Sequence, residues 1–223
     1  MPVSSALHDL ALDLLSLLAV GALVFAGRMF GVSGRVSPPT LRKALHVAVG
    51  AWTLLVTPYF HHLAWAMAPP LLFCGVNAFG TARALMPTIA GHPGEQRGLW
   101  TFPLGVALTY ALFWDDAGRR AIVAGLSALA FADPVAAIVG SRFGQRRFHG
   151  FGHGRTLEGS AAFLLVAGVA AGLVASGVQG GAFPWRMGVG CGLAGAAAEA
   201  VTPSGWDNVT IPIAVATTYQ LLG

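Results

Sequence analysis

Apolar runs of 15 to 22 residues recur along this chain from end to end, and the short segments between them hold most of the charge. A helix crossing the hydrocarbon core of a bilayer takes roughly 20 apolar residues, within a range of about 17 to 25. Only helices and closed barrels satisfy their backbone polar groups in that environment. The runs and their breakers define eight segments, at residues 10–30, 43–59, 63–80, 99–114, 119–140, 157–177, 186–201 and 209–223. The fourth and seventh are short, and Thr217, Thr218 and Gln220 make the last a marginal span. The sequence therefore predicts an all-α, polytopic membrane bundle of seven to eight transmembrane helices. Charged residues make up 10% of the chain, against about 25% in soluble domains. No polar tract divides it, so residues 1–223 are expected to form a single transmembrane domain.

The first run is not read as a cleaved leader. It lacks a basic leading segment, carries Asp9 and Asp13 at its start, and has its positive charges behind it. Cys74 and Cys191 each sit inside an apolar run and are read as packing residues rather than a disulfide. The basic residues fix an orientation. Ten of the thirteen fall in loops on one side of the eight-segment model, and Arg119, Arg120 and Arg186 on the other. The positive-inside rule makes the richer side cytosolic and the N-terminus external. The preference for Arg over Lys and for Ala and Gly is compatible with a GC-rich prokaryotic genome, so a prokaryotic cell membrane is the expected location.

Of nine acidic residues, Asp9, Asp13, Glu95, Asp115 and Asp116 lie at segment ends or in loops, where no function is required of them. Asp133 and Glu199 interrupt apolar runs. A carboxylate at membrane depth costs a few kcal/mol or more and signals either function or a charged partner. Arg42, Lys43 and His46 share one face at the start of the second segment. The chain writes Arg twelve times and Lys once, at Lys43. A boundary anchor would accept either residue, whereas a compact phosphate ligand would not. Residues 140–160 combine four arginines with closely spaced glycines and then open a helix, which suits a polyphosphate. A basic loop touching anionic lipid would look similar. Asp207 and Asn208 form a turn that could hold Mg²⁺ or cap the last helix. All four clusters map to the cytosolic side. His61 and His62, on the other side, have no acid near them in sequence and are read as interfacial; His8 and His92 show no partner.

Four motifs appear in order: Arg42-Lys43-x-x-His46-x-x-x-Gly50, Ala-Asp133-x-x-Ala-x-x-x-Gly140-x-Arg142-x-Gly144, Arg155-Thr-Leu-Glu-Gly-Ser160, and Glu199-Ala-x-x-Pro-x-x-x-Asp207-Asn208-x-x-x-Pro212. They resemble the CTP-dependent lipid kinases, the family that includes dolichol kinase, phytol kinase and the yeast-type diacylglycerol kinase. The resemblance covers residues 41–223 as a kinase-like core and leaves residues 1–40 outside. It implies transfer of the γ-phosphoryl group of CTP to a membrane lipid alcohol, with Mg²⁺ as cofactor. Under that resemblance Asp133, Lys43, Glu199 and Asp207 are catalytic, and the three acids are the metal ligands. Arg42, His46, Arg142, Gly144, Gly152, Gly154, Arg155, Thr156, Glu158, Gly159, Ser160 and Asn208 would bind the nucleotide. The family usually has Lys at the position of Arg155 and often Gly at that of Ala132. Two other readings stay open: a CTP:lipid-phosphate cytidylyltransferase, and a small ion- or proton-coupled transporter.

Overall fold

The computed structural model describes residues 3–79, 96–116, 118–148, 154–179 and 182–223. The described residues are mostly helical, with α1 at Val3–Val32, α2 at Pro38–Val56, α3 at Leu63–Ala78 and α4 at Arg97–Phe113. A fifth rod comprises α5 at Gly118–Ser127, a π-turn at Ala128–Ala132 and α6 at Asp133–Phe143. A two-residue hairpin, β1 at Arg147–Phe148 and β2 at Arg155–Thr156, then leads into α7 at Leu157–Gln179. The chain ends with α8 at Trp185–Val201 and α9 at Asp207–Leu222.

These rods coincide with the eight apolar runs. Three of them, Val3–Val32, Gly118–Phe143 and Leu157–Gly177, are long and apolar enough to cross a membrane. The apolar α3 is shorter, and α4, α8 and α9 have 16 or 17 residues. At 1.5 Å per residue such helices rise only about 25 Å.

The α5 rod is the centre of the bundle, in contact with α2, α4, α7 and α9. Its Ala121, Ile122, Ala124 and Ala128 are fully buried. Small residues set the packing distance, as expected where lipid removes the hydrophobic drive for helix association. A Cβ on Gly50 would lie 2.5 Å from the Cβ of Ala130, and Gly168 and Gly188 face each other's backbones across α7 and α8.

The first helix differs from expectation. It begins at Val3, so Asp9 and Asp13 lie inside it, not at its start. Its buried residues are Asp9, Asp13, Ser16, Val20 and Gly27, a single stripe at helical spacing. Leu7, Leu14, Leu18 and Phe25 point outward. Asp9 is not an idle terminal residue but a fully buried one. His61 and His62 do have an acid partner, since Asp9 reaches both from 52 and 53 residues away.

Candidate functional site

The π-turn is where the site begins. Pro134 has no N–H and would clash with the carbonyl four residues back in a regular helix. The chain widens instead, and the Asp133 N–H bonds to Ala128 O, five residues back. That leaves Leu129 O without its helical donor. His46 Nε2 takes it at 2.8 Å; because a carbonyl can only accept, His46 carries its proton on Nε2. The ring also packs edge-on against Phe102, 4.6 Å between centroids. The α2 histidine thus braces the turn that presents Asp133.

The hairpin positions the second component. Arg147 pairs with Thr156 and Phe148 with Arg155. Thr156 then caps α7, its Oγ1 accepting the Gly159 N–H at 3.1 Å. From this strand Arg155 forks to two acids on different elements. Its Nη1 meets Glu199 Oε1 at the end of α8, and its Nη2 lies 3.0 Å from Asp207 Oδ2 at the start of α9. The planar guanidinium suits such a two-way bridge better than an ammonium would.

Asp207 sits on a turn built around Gly205, whose φ of +89° is in the left-handed region that favours glycine. Asp207 Oδ1 accepts the Gly205 and Asn208 N–H groups at 3.0 and 3.1 Å. Asn208 Nδ2 donates to Thr101 Oγ1 at 3.1 Å, and Thr101 Oγ1 donates to Gly205 O, which ties the turn to α4. Gly105 permits this approach, since a Cβ there would collide with Asn208 O.

Asp133 lies within electrostatic reach of Asp207, Arg155 and Lys43, and Glu199 within reach of Asp133 and Asp207. Carboxylates from α6, α8 and α9 are therefore gathered near one guanidinium, which pairs with two of them. Glu199 is 7% exposed, and its Oε2 is buried with no hydrogen-bond partner among the described residues. An all-oxygen donor set with one unspent buried oxygen among the described residues fits a hard divalent cation such as Mg²⁺.

The cluster opens onto a cavity of about 520 Å³ between α1, α2, α3, α4 and α6. At one end it is lined by Arg42, Lys43, His46, Asp133, Asp207 and Asn208. Its body is lined by residues such as Val49, Val56, Phe60, Phe102 and Tyr110. Two wall atoms, Trp52 Nε1 and Ser16 Oγ, are buried without a partner among the described residues. The sequence motifs reach its ionic end, whereas the apolar walls from α1, α3 and α4 lie outside them.

The remaining sequence candidates fall elsewhere. Arg142 is exposed on the last turn of α6. Gly144, against Gly140 and Thr156, and Gly159, against Ala136 O and Gly140, allow the close α6–α7 contact. The Glu158 carboxylate accepts the Arg146 N–H at 3.3 and 3.4 Å, which steadies the hairpin. Ser160 Oγ is buried without a partner among the described residues. Gly154 has open space around it, and Gly152 lies outside the described residues, as does most of the 150–154 loop.

Comparison with known proteins bears on this arrangement. The chain is 23% identical to a phytol kinase of Synechocystis over 215 residues, which covers 92% of this chain and 90% of that protein. The similarity therefore runs over nearly the whole of both chains. No family model matches the sequence, and no solved structure matches it.

Proposed function

We propose that this chain is a membrane lipid kinase that transfers the γ-phosphoryl group of CTP to the hydroxyl of a long-chain lipid alcohol of the phytol, prenol or polyprenol type, with diacylglycerol as the alternative acceptor, at the cytosolic face. The observation that carries the reading is that one cavity has an ionic end and an apolar body. A lipid alcohol has the same division. Its hydroxyl would meet Asp133 and Lys43 while its chain lies along Val49, Val56, Phe60 and Tyr110. A volume of about 520 Å³ falls within the roughly 300–1,000 Å³ usual for ligand pockets.

Phosphoryl transfer asks a protein mainly for positioning and charge neutralisation. Asp133 projects into the cavity from the end of the π-turn and is the acid placed to take the hydroxyl proton. As that proton leaves, the lipid oxygen bonds to the γ-phosphorus and the bond to the β-phosphate oxygen breaks, releasing CDP. Lys43 and Arg42, on the adjacent wall, face the triphosphate. Arg155 holds Glu199 and Asp207 in register with Asp133. Asp133, Glu199 and Asp207 would hold Mg²⁺, which when bound neutralises phosphate charge. His46 keeps Asp133 at its depth through Leu129.

The test is purified protein in detergent with Mg²⁺, γ-labelled CTP, and a panel of phytol, longer prenols and diacylglycerol. The expected products are a labelled lipid monophosphate and CDP. Formation of a CDP-lipid with pyrophosphate would replace this reading with a cytidylyltransferase. Equal turnover with ATP would remove the CTP preference and leave the kinase.

A further inference from the structure

The opposite end of the bundle carries a second ionic cluster that phosphoryl transfer does not use. Asp9 and Asp13 stand one turn apart on α1 and are 0% and 6% exposed. No Lys or Arg pairs with either among the described residues; Asp9's ionic neighbours are the imidazoles of His8, His61 and His62. Asp13 Oδ1 has no hydrogen-bond partner among those residues. Among the described residues only the imidazoles around Asp9 offset these two buried carboxylates, a deficit of positive charge that burial makes costly.

We propose that His8, Asp9 and His61 form a binding site for one divalent transition-metal ion of the zinc class, which fastens α1 to the α2–α3 connection. Three kinds of observation support it. The first is spacing. Tetrahedral bonds of about 2.0–2.1 Å put neighbouring ligand atoms roughly 3.3–3.4 Å apart. Asp9 Oδ1 lies 3.1 Å from His61 Nδ1 and 3.6 Å from His8 Nδ1, and one ligand atom from each of the three residues falls within 4.8 Å of the others. The His8 and His61 ring centroids are 4.9 Å apart, close to the roughly 5 Å of two imidazoles on one such ion.

The second is support behind the ligands. Asp9 Oδ2 is held by His62, by its Nδ1 at 2.7 Å and its backbone N–H at 3.0 Å. The His61 backbone N–H steadies Oδ1 at 3.0 Å. The carboxylate is therefore oriented by groups that an incoming ion need not displace, as in carboxylate–histidine metal sites. The ion would take the place of the single hydrogen between His61 Nδ1 and Asp9 Oδ1.

The third is access. His8 and His61 side chains are 46% and 53% exposed while Asp9 is closed off, so an ion can enter from solvent and keep a water in its fourth position. Two nitrogens and one oxygen select zinc, cobalt or nickel over magnesium, unlike the all-oxygen cluster around Arg155.

The test uses the full chain in detergent, with any affinity tag removed, stripped with chelator and titrated with Co²⁺. Wild type is expected to bind about one equivalent with visible absorption bands of a nitrogen-ligated ion, and millimolar Mg²⁺ should not displace it. His8→Ala and His61→Ala should each weaken binding by about tenfold or more, the scale seen when a metal site loses a supporting group. Excess Zn²⁺ should raise the melting temperature of wild type and not of either variant, a readout that does not depend on kinase activity. Absence of the bands, their persistence in both histidine variants, or their loss in Asp133→Asn would each overturn the proposal. The last outcome would assign the ion to the kinase cluster.

Discussion

The two ionic clusters of this bundle are built by opposite rules. At the Asp9 end, one carboxylate organises nitrogen: both its oxygens are occupied, by two backbone N–H groups and two imidazoles. At the Arg155 end, one guanidinium organises oxygen: it spans Glu199 and Asp207 and leaves Glu199 Oε2 unspent. A buried carboxylate whose oxygens are satisfied by its own chain resists change through stability. Glu199 keeps one oxygen unpaired among the described residues. The comparison separates a carboxylate satisfied by its own chain from one that is not, although both interrupt apolar helices and look alike in sequence.

The sharpest way to break this contrast is Asp133→Asn. An amide is a poor cation ligand and a poor base, so turnover should fall by at least about 10²-fold, the scale of losing one transition-state contact. No described residue donates a hydrogen bond to Asp133, so the melting temperature should stay close to wild type. An active variant, or an inactive one that melts far earlier, would move Asp133 into the structural class.

Asp9→Asn should behave in the reverse sense. The amide would turn an NH₂ toward groups that already donate, and a buried mismatch of this kind costs about 1–3 kcal/mol. Thermal melting in chelator checks it, and a melting point equal to wild type would show that the four contacts add nothing.

Lys43→Arg should reduce turnover by about tenfold or more, because a guanidinium cannot replace a compact ammonium at the cavity wall. Arg155→Lys should cost less, since a lysine keeps the charge and reaches one of the two acids. Steady-state rates of the pair decide the order, and the reverse order would make Lys43 a boundary anchor.

The smallest effect is expected from His46. Removing the Leu129 contact with His46→Ala forfeits about 1 kcal/mol and should lower kcat severalfold with little change in KM for CTP. His46→Gln retains a donor and should recover part of the loss. A KM effect alone would instead put His46 on the nucleotide.

Sequence alone separated the eight rods well, because an apolar run broken by Arg, Gly and Pro leaves few alternatives. It also marked Asp133, Glu199 and Asp207; the fold pairs the last two with a single guanidinium and sets Asp133 within electrostatic reach of it. It missed what depends on distance along the chain. Asp9 and His61 lie 52 residues apart, and no pattern links an acid inside one apolar helix to a histidine pair in a later connection. It also placed the start of α1 too late, since averaging over an apolar window hides two acids within a 30-residue helix. Arg155 stood out as a departure from the family's lysine that keeps the charge and changes its geometry; only the positions of Glu199 and Asp207 give its fork a purpose. The chamber was invisible because Trp52, Phe60 and Tyr110 are ordinary apolar residues until the helices enclose a space between them.

The π-turn at Ala128–Ala132 makes the chain's length at this point matter more than its composition. A π-turn holds one residue more than the α-helical turn it replaces, so it absorbs that residue within one turn and leaves α5 and α6 nearly in phase. Deleting one alanine from the turn would let the backbone close toward a regular helix. Pro134 would then meet the carbonyl four residues back, and the helix would kink beside Asp133. The segment should therefore accept exchanges among small residues far more readily than the gain or loss of a single position.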